Sequence, residues 1–144
     1  MRDLPRKLTV GELAELFEGR TVLVERLAER EHPLEAAGEV IAGLTEGEKL
    51  EALNAHPAIG ARRLSARSAA EQGSDDDPGT LAELEQLNRD YERRFGFRFV
   101  VFVDRRPKSE IIPILRERLQ RKREQELDTA LEELVAIARD RWQR

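Results

Sequence analysis

The amino-acid sequence predicts an all-α fold, a single-domain bundle of about seven to eight helices over residues 1–144 with one extended buried segment. Three observations support this prediction. Apolar residues recur at steps of three and four along most of the chain, as in amphipathic helices. Three T-x-x-E sequences have the spacing of a capping box at a helix start. One run, Phe97 to Val103, has instead the aromatic and β-branched composition of extended chain.

The first half of the chain is predicted to form four helices. Capping boxes at Thr9 and Thr45, each with a glutamate three residues later, mark the first and fourth helix starts. The fourth helix is expected to end near His56, because Pro57 disfavours a helical conformation in the residue before it. Two amphipathic helices are predicted between the boxes from two apolar series, Val22, Val24, Leu27 and Ala28, and Leu34, Ala37, Val40, Ile41 and Leu44.

A longer helix is predicted after the third capping box, Thr80 with Glu83, and Gly96 is expected to close it in the left-handed conformation. The run from Phe97 to Val103 follows directly. No second strand-like run in the sequence offers it a hydrogen-bonding partner, so we expect a buried extended connector rather than a sheet. The apolar residues of the helix are Leu84, Leu87, Tyr91 and Phe95.

Two further helices complete the predicted bundle. Ser109 is expected to cap the first, with Pro113 in its first turn, where the missing N–H costs little. The last helix is expected over about Glu124 to Arg144. Its buried stripe is predicted to consist of Leu127, Ala130, Leu131, Leu134, Ile137, Ala138 and Arg141.

Composition excludes several classes of protein. Lys and Arg number 25 against 29 Asp and Glu, and the net charge of −4 disfavours a sequence-independent DNA binder. Without cysteine there is no disulfide framework or cysteine-based zinc site. No apolar run approaches the roughly 20 residues that cross a bilayer. The charged first residues lack a signal-peptide core. We therefore expect a cytoplasmic protein with neither a membrane nor a nucleic acid as partner.

Few residues suggest chemistry by type alone. His32 and His56 both precede proline, a position that is most often structural, and neither has a second histidine at helical spacing. A metal site is not expected for that reason. The sequence from Ser68 to Glu71 has capping-box spacing, so a helix start there is as good an interpretation as a functional site. Neither a P-loop nor a nucleophile elbow occurs.

Several runs of residues nevertheless occur together in an order and spacing that resemble one enzyme family. They are L-N-A-H-P-A-I-G from Leu53, S-A-A-E-Q from Ser68, L-N-R-D-Y-E-R-R-F-G-F-R-F from Leu87, and flanking matches at Phe17-Glu18, Arg118-Leu119 and Ile137 to Arg141. This order resembles the 2-oxo-4-hydroxy-4-carboxy-5-ureidoimidazoline (OHCU) decarboxylases of urate breakdown. The resemblance covers nearly the whole chain.

The resemblance implies a cofactor-independent homodimer that decarboxylates OHCU to (S)-allantoin. The family's catalytic histidine corresponds to His56, and its acid to Glu71. His32 matches no catalytic position. The residues expected to contact substrate are Pro57, Ser68, Gln72 and Arg141. This chain departs from the family pattern at Arg98, where proline is common, and at Arg121, where asparagine is common.

The chemistry of the reaction suits these residues. Loss of CO2 leaves an electron pair, which the conjugated ring of OHCU can accept, so the protein must supply orientation and proton transfer. Histidine suits such proton transfer. Glu71 could fix the histidine tautomer or hold the ureido nitrogens, and the sequence leaves both open. Two alternatives also stay open: a non-catalytic helical interaction module on the same fold, and a nucleic-acid binder that uses the arginines from Arg116 to Arg123.

Overall fold

The computed structural model describes residues 3–57 and 77–144. These residues contain helices and irregular connections but no strand, so the predicted all-α class is confirmed. The helices are α1 (Val10–Phe17), α2 (Val22–Ala28), α3 (Pro33–Ala42), α4 (Glu46–Ala55), α5 (Pro78–Phe95), α6 (Lys108–Arg118) and α7 (Arg123–Gln143).

The chain divides into two compact units. One consists of Met1–His56 with Leu131–Arg144, and the other of Pro57–Ala130. We call them unit 1 and unit 2. Helix α7 contributes residues to both, because the boundary between Ala130 and Leu131 lies within it. The expectation that residues 1–144 form a single domain stays a prediction.

The two predicted capping boxes of unit 1 are present. In the first, the Thr9 hydroxyl accepts from the Glu12 N–H at 3.1 Å, and the Glu12 carboxylate accepts from the Thr9 N–H at 3.0 Å. Thr45 and Glu48 repeat the arrangement at 3.2 and 2.9 Å. Each box satisfies N–H groups that the first turn of a helix would otherwise leave unpaired.

Side chains from later helices also bond to the backbone of unit 1. The Glu51 carboxylate of α4 accepts from the N–H of Val22, the first residue of α2, at 2.8 Å. Arg139 of α7 donates to the carbonyl of Leu34 through Nη2 at 2.9 Å. These bonds fix the packing of helices whose buried apolar residues include Leu13, Leu16, Phe17, Leu23, Leu27, Leu34, Ala37, Leu53, Leu134 and Ala138.

In unit 2, α5 begins three residues before the predicted start. The N-cap is Asp77, whose carboxylate accepts from the Thr80 N–H at 3.1 Å, and Pro78 is the first helical residue. The predicted Thr80 capping box is therefore wrong. Aspartate is as good an N-cap as threonine, and proline is favoured at the first helical position, so Asp77 and Pro78 start the helix earlier. Gly96 closes the helix at φ 80°, as predicted.

The run from Phe97 to Val103 lies outside the helices and pairs with no strand among the described residues, so the prediction that it does not belong to a sheet is confirmed. Its aromatic side chains pack around Tyr91 of α5. The Tyr91 ring centroid lies 4.6 Å from that of Phe95, 5.9 Å from that of Phe97 and 5.2 Å from that of Phe99. Burial of one such side chain contributes about 1.5–3 kcal/mol, so this cluster forms much of the core of unit 2.

A buried polar network lies beside this aromatic cluster. The Glu126 carboxylate of α7 accepts from the Tyr91 hydroxyl at 2.5 Å, from Arg118 Nε at 2.7 Å and from Arg121 Nη1 at 3.0 Å. Arg118 also donates to the carbonyl of Val100 at 2.8 Å, which ties the run from Phe97 to Val103 to α6. Burial raises the pKa of Tyr91, and the hydrogen bond to Glu126 raises it further.

Two details of the last two helices differ from the predictions. Helix α6 is capped by Pro107 rather than Ser109, because Pro107 has a fixed φ of −56° that suits a helix entrance. Pro113 is then the sixth helical residue, beyond the first turn. In α7 the expected stripe is buried except for Leu127, which is half-buried, while its polar neighbour Glu126 is fully buried.

Candidate functional site

His56 is the residue at which α4 ends. Its N–H donates to the Leu53 carbonyl at 3.2 Å, and its backbone turns to an extended conformation with φ −81° and ψ 134°. An extended conformation is what the following proline requires, as the sequence predicted. Although it lies at a helix end, His56 is only 8% exposed. Pro57 is half-buried.

His32 has a contrasting environment even though it also precedes proline. It is the N-cap of α3 and is exposed, with a left-handed backbone at φ 55°. Its N–H donates to the Arg6 carbonyl at 2.5 Å. Its position fits the structural role that the sequence assigned to it.

Arg141 lies on α7 with its side chain fully buried at 0% exposure. Its Nη1 donates to the carbonyl of Leu16 at 3.0 Å, and its Nη2 donates to the Glu18 carboxylate at 3.0 Å. Both partners belong to the end of α1, where the helix dipole is negative and favours a cation. The guanidinium is thus bonded through both of its Nη atoms.

Glu18 belongs to the flanking match Phe17-Glu18, but the sequence analysis gave it no role in the site. It is the C-cap of α1 and has a left-handed backbone with φ 65°. Left-handed conformation is uncommon for a residue with a side chain. The signal in the sequence was weak: a glutamate directly before Gly19, where a helix end would more often place the glycine itself in this conformation.

The ends of α1 and α4 are neighbours within unit 1. A Cβ atom placed on Gly19 would lie 3.5 Å from the Cβ of Ala55. Gly19 follows Glu18, and Ala55 precedes His56. The pair formed by Glu18 and Arg141 and the buried histidine therefore belong to adjoining backbone segments.

The other predicted site residues are Ser68, Glu71 and Gln72, and they lie outside the described residues. Their convergence with His56 and Arg141 stays a prediction. Within residues 3–57 and 77–144, no three His, Asp or Glu side chains cluster closely enough to hold a metal ion. None of the helices in these ranges is long and apolar enough to cross a membrane.

Comparison with known proteins decides the family. The family model for OHCU decarboxylase matches residues 2–143. The chain belongs to the OHCU decarboxylase family. The family prediction, made from the order of short motifs, is confirmed. Of the site residues predicted from this resemblance, His56, Pro57 and Arg141 lie within the described part of the chain.

Two curated relatives illustrate the match. The 2-oxo-4-hydroxy-4-carboxy-5-ureidoimidazoline decarboxylase of Amia calva is 35% identical over 122 residues, which are 78% of this chain and 70% of the relative. A uric acid degradation bifunctional protein of Bacillus sp. (strain TB-90) is 32% identical over 110 residues. Those residues are 73% of this chain but only 22% of the larger bifunctional protein.

Two solved structures share the fold. A crystal structure of an OHCU decarboxylase, obtained in the presence of (S)-allantoin, superposes with a TM-score of 0.76 at 22% identity. That superposition covers 90% of this chain and 94% of the other. An (S)-allantoin synthase structure gives a TM-score of 0.68 at 25% identity, over 92% of this chain and 47% of the other. The OHCU decarboxylase fold is therefore present.

Proposed function

We propose that this chain decarboxylates OHCU to (S)-allantoin. The observation that carries the proposal is the family match over residues 2–143, together with 35% identity to the Amia calva decarboxylase. The burial of His56 at the end of α4 supports it, because a catalytic histidine needs a site with limited access to water.

The chemistry defines what the protein must supply. The bond between C4 and the carboxylate breaks, CO2 leaves, and the electron pair moves into the conjugated ring. The C4 hydroxyl then loses its proton to become a carbonyl, while one proton is delivered to one face of C5 and a second to the ring nitrogen that received the electron pair. Because an anionic carboxylate becomes neutral product and CO2, one proton is taken up in each turnover.

The residues are proposed to divide this work. His56 accepts or delivers the proton, since imidazole exchanges protons near neutral pH. Glu71 fixes the histidine tautomer or holds the ureido nitrogens. Arg141 provides positive charge toward the substrate carboxylate. Substrate contacts are proposed for Pro57, Ser68 and Gln72, with no cofactor, because the substrate ring itself accepts the electron pair.

The decisive experiment is a coupled assay. Uricase and the preceding hydrolase generate OHCU in situ, and optical rotation follows the formation of (S)-allantoin. His56→Ala should lower the rate by roughly 100- to 10,000-fold, as expected for loss of a general acid or base. His32→Ala is the matched control, because it also removes a histidine before proline but at an exposed position. We expect it to retain the wild-type rate.

Two results would overturn the proposal. His56→Ala at the wild-type rate would contradict the catalytic assignment. Wild-type protein that forms no (S)-allantoin above the spontaneous rate would support the non-catalytic interaction module instead. The role of Glu71 is tested by Glu71→Ala alone and combined with His56→Ala. If the two residues act as a unit, the double variant loses much less than the product of the two single losses.

A homodimer in the cytoplasm is the assembly and location proposed for this chain. Two-fold pairing is the commonest form of oligomer, which supports the dimer. Light scattering that returns the monomer mass of 16.5 kDa would contradict it. Fractionation of cells that express the chain tests the location.

A further inference from the structure

We propose that Glu18 is a positioning residue, which holds the guanidinium of Arg141 in the orientation needed to meet the anionic substrate. The proposal rests on the proposed function, because it gives Arg141 a substrate to meet. It adds a residue that the sequence analysis left without a role, and it concerns only residues of unit 1.

The backbone of Glu18 is the first observation. Its φ of 65° lies in the left-handed region, where the Cβ atom is crowded and glycine is the usual residue. A glycine stands at the very next position, Gly19. The chain therefore ends α1 with a strained glutamate, although glycine would adopt this conformation without strain. Such backbone strain is concentrated at functional sites.

The contact made by the side chain is the second observation. The Glu18 carboxylate lies 3.0 Å from Nη2 of Arg141, and its side chain is only 14% exposed. Nη1 of the same guanidinium donates to the Leu16 carbonyl at 3.0 Å. A planar guanidinium that bonds through two different nitrogens has a fixed plane and direction. Nη1 also lies 3.5 Å from the Glu15 carbonyl, and the Glu18 carboxylate adds a charged acceptor at Nη2.

The place of this pair relative to His56 is the third observation. Because a Cβ on Gly19 would lie 3.5 Å from the Cβ of Ala55, the turn that contains Glu18 packs against the end of α4. His56 is the next residue along α4. The structure thus places the anchored guanidinium and the proposed proton donor on adjoining segments, where a change of orientation at one affects a substrate held by the other.

The test compares two variants that both lack the carboxylate. Glu18→Ala removes the side-chain contact and keeps the backbone strain, whereas Glu18→Gly removes the contact and relieves the strain. A positioning role predicts that both variants lose about the same amount of kcat/KM in the coupled assay, roughly 10- to 100-fold. A purely structural role predicts that Glu18→Gly keeps the wild-type kcat/KM.

A conservative variant and a matched control sharpen the comparison. Glu18→Gln keeps an oxygen acceptor near Arg141, so its loss should be smaller than that of Glu18→Ala. Glu39→Gln removes another carboxylate of unit 1, an exposed one that pairs with Arg30 at 2.8 Å. It should retain the wild-type kcat/KM, because that pair lies on the surface.

A double-variant cycle asks whether Glu18 acts through Arg141. If it does, Glu18→Gly combined with Arg141→Lys loses little more activity than Arg141→Lys alone. Losses that multiply would overturn the proposal. So would wild-type kcat/KM in Glu18→Ala and Glu18→Gly when the wild-type protein itself forms (S)-allantoin. If the wild-type protein forms none, it is the proposed function that has failed, and the inference falls with it.

Discussion

Among the described residues, each compact unit contains an arginine whose side chain is buried against a carboxylate, and the two carboxylates differ in their surroundings. In unit 2, Glu126 is fully buried and accepts from Tyr91, Arg118 and Arg121. In unit 1, Glu18 is 14% exposed, and its carboxylate meets Arg141 from a strained helix end. One carboxylate is enclosed by helices and aromatic rings, and the other stands at a helix end beside the segment of His56.

The different surroundings of the two carboxylates indicate different roles: Glu126 stabilises the fold of unit 2, and Glu18 is proposed to position Arg141. A buried carboxylate with three donors, two of them cationic, is well compensated, and the loss of any partner leaves a buried charge behind. The Glu126 network therefore contributes to the stability of unit 2, and a role in substrate binding is not required to explain it. The pair formed by Glu18 and Arg141 is built on an unfavourable backbone conformation, which stability alone does not explain.

The largest expected effect is on the stability of unit 2. Glu126→Ala leaves Arg118 buried without its carboxylate, and the loss should be about 3–5 kcal/mol of unfolding free energy. Denaturant titration measures it. The control is Glu92→Ala, since Glu92 is an exposed carboxylate paired with Arg98 at 3.4 Å, and its loss should stay within about 1 kcal/mol. Equal unfolding midpoints in the two variants would contradict the stabilising role of the network.

The same comparison shows what a sequence can reveal. Capping boxes at Thr9 and Thr45 were predictable because both partners lie within four residues. The partners of Glu126 were not, since Tyr91 is 35 positions away and Arg118 is 8 positions away on another helix. The apolar pattern selected Leu127 for the buried stripe, because periodicity alone assigns a glutamate to the solvent side.

The candidate site shows the same limit. His56 could be found from its motif, and its extended backbone from the proline that follows. The bond between Glu18 and Arg141 spans 123 positions, and no local rule connects them. Recognition of the family motifs pointed to Arg141, whereas the role proposed for Glu18 rests on its φ angle and its contact with Arg141.

The second largest effect should be found in unit 1. Glu18→Ala should cost about 1.5–3 kcal/mol, the usual value of a hydrogen bond to a charged group, because Arg141 keeps its bond to Leu16. Glu18→Gly should cost roughly 1 kcal/mol less, since glycine relieves the left-handed strain. Thermal and denaturant unfolding measure both. If Glu18→Ala proved as destabilising as Glu126→Ala, the distinction between the two carboxylates would be lost.

A third effect concerns Tyr91, the one tyrosine of the chain, in alkaline solution. Burial, and then the hydrogen bond to Glu126, raise its pKa above the ordinary value of 10.0. The folded state therefore binds the hydroxyl proton of Tyr91 more tightly than the unfolded state does. Its contribution to stability is complete below pH 10 and is lost as the pH rises above that value. Tyrosinate absorbance should appear together with unfolding, rather than before it.

Tyr91→Phe provides the check on this assignment. The variant should lose roughly 1–3 kcal/mol at neutral pH, because a buried acceptor on Glu126 is left with one donor fewer. It should also show a weaker fall of stability above pH 10 than wild type. Fluorescence of Trp142, which lies in unit 1, follows the unfolding independently of the tyrosine signal. Tyrosinate that forms in protein still folded by that signal would contradict the raised pKa.

The smallest effect is expected at the exposed surface of α4. The pKa of Glu48 is lowered from its ordinary value of 4.5, chiefly by the hydrogen bond from the Thr45 N–H, with the nearby Arg26 guanidinium as a lesser cause. Its contribution to stability is present above pH 4.5 and is lost as the pH falls through the lower folded value. NMR titration of the glutamate side chains measures it. In Arg26→Gln the pKa of Glu48 should stay below 4.5, because the bond from Thr45 persists. If the pKa of Glu48 returned to 4.5 in that variant, the ion pair with Arg26 would be the cause of the shift. The hydrogen bond from the Thr45 N–H would then contribute less to the pKa of Glu48 than the capping box implies.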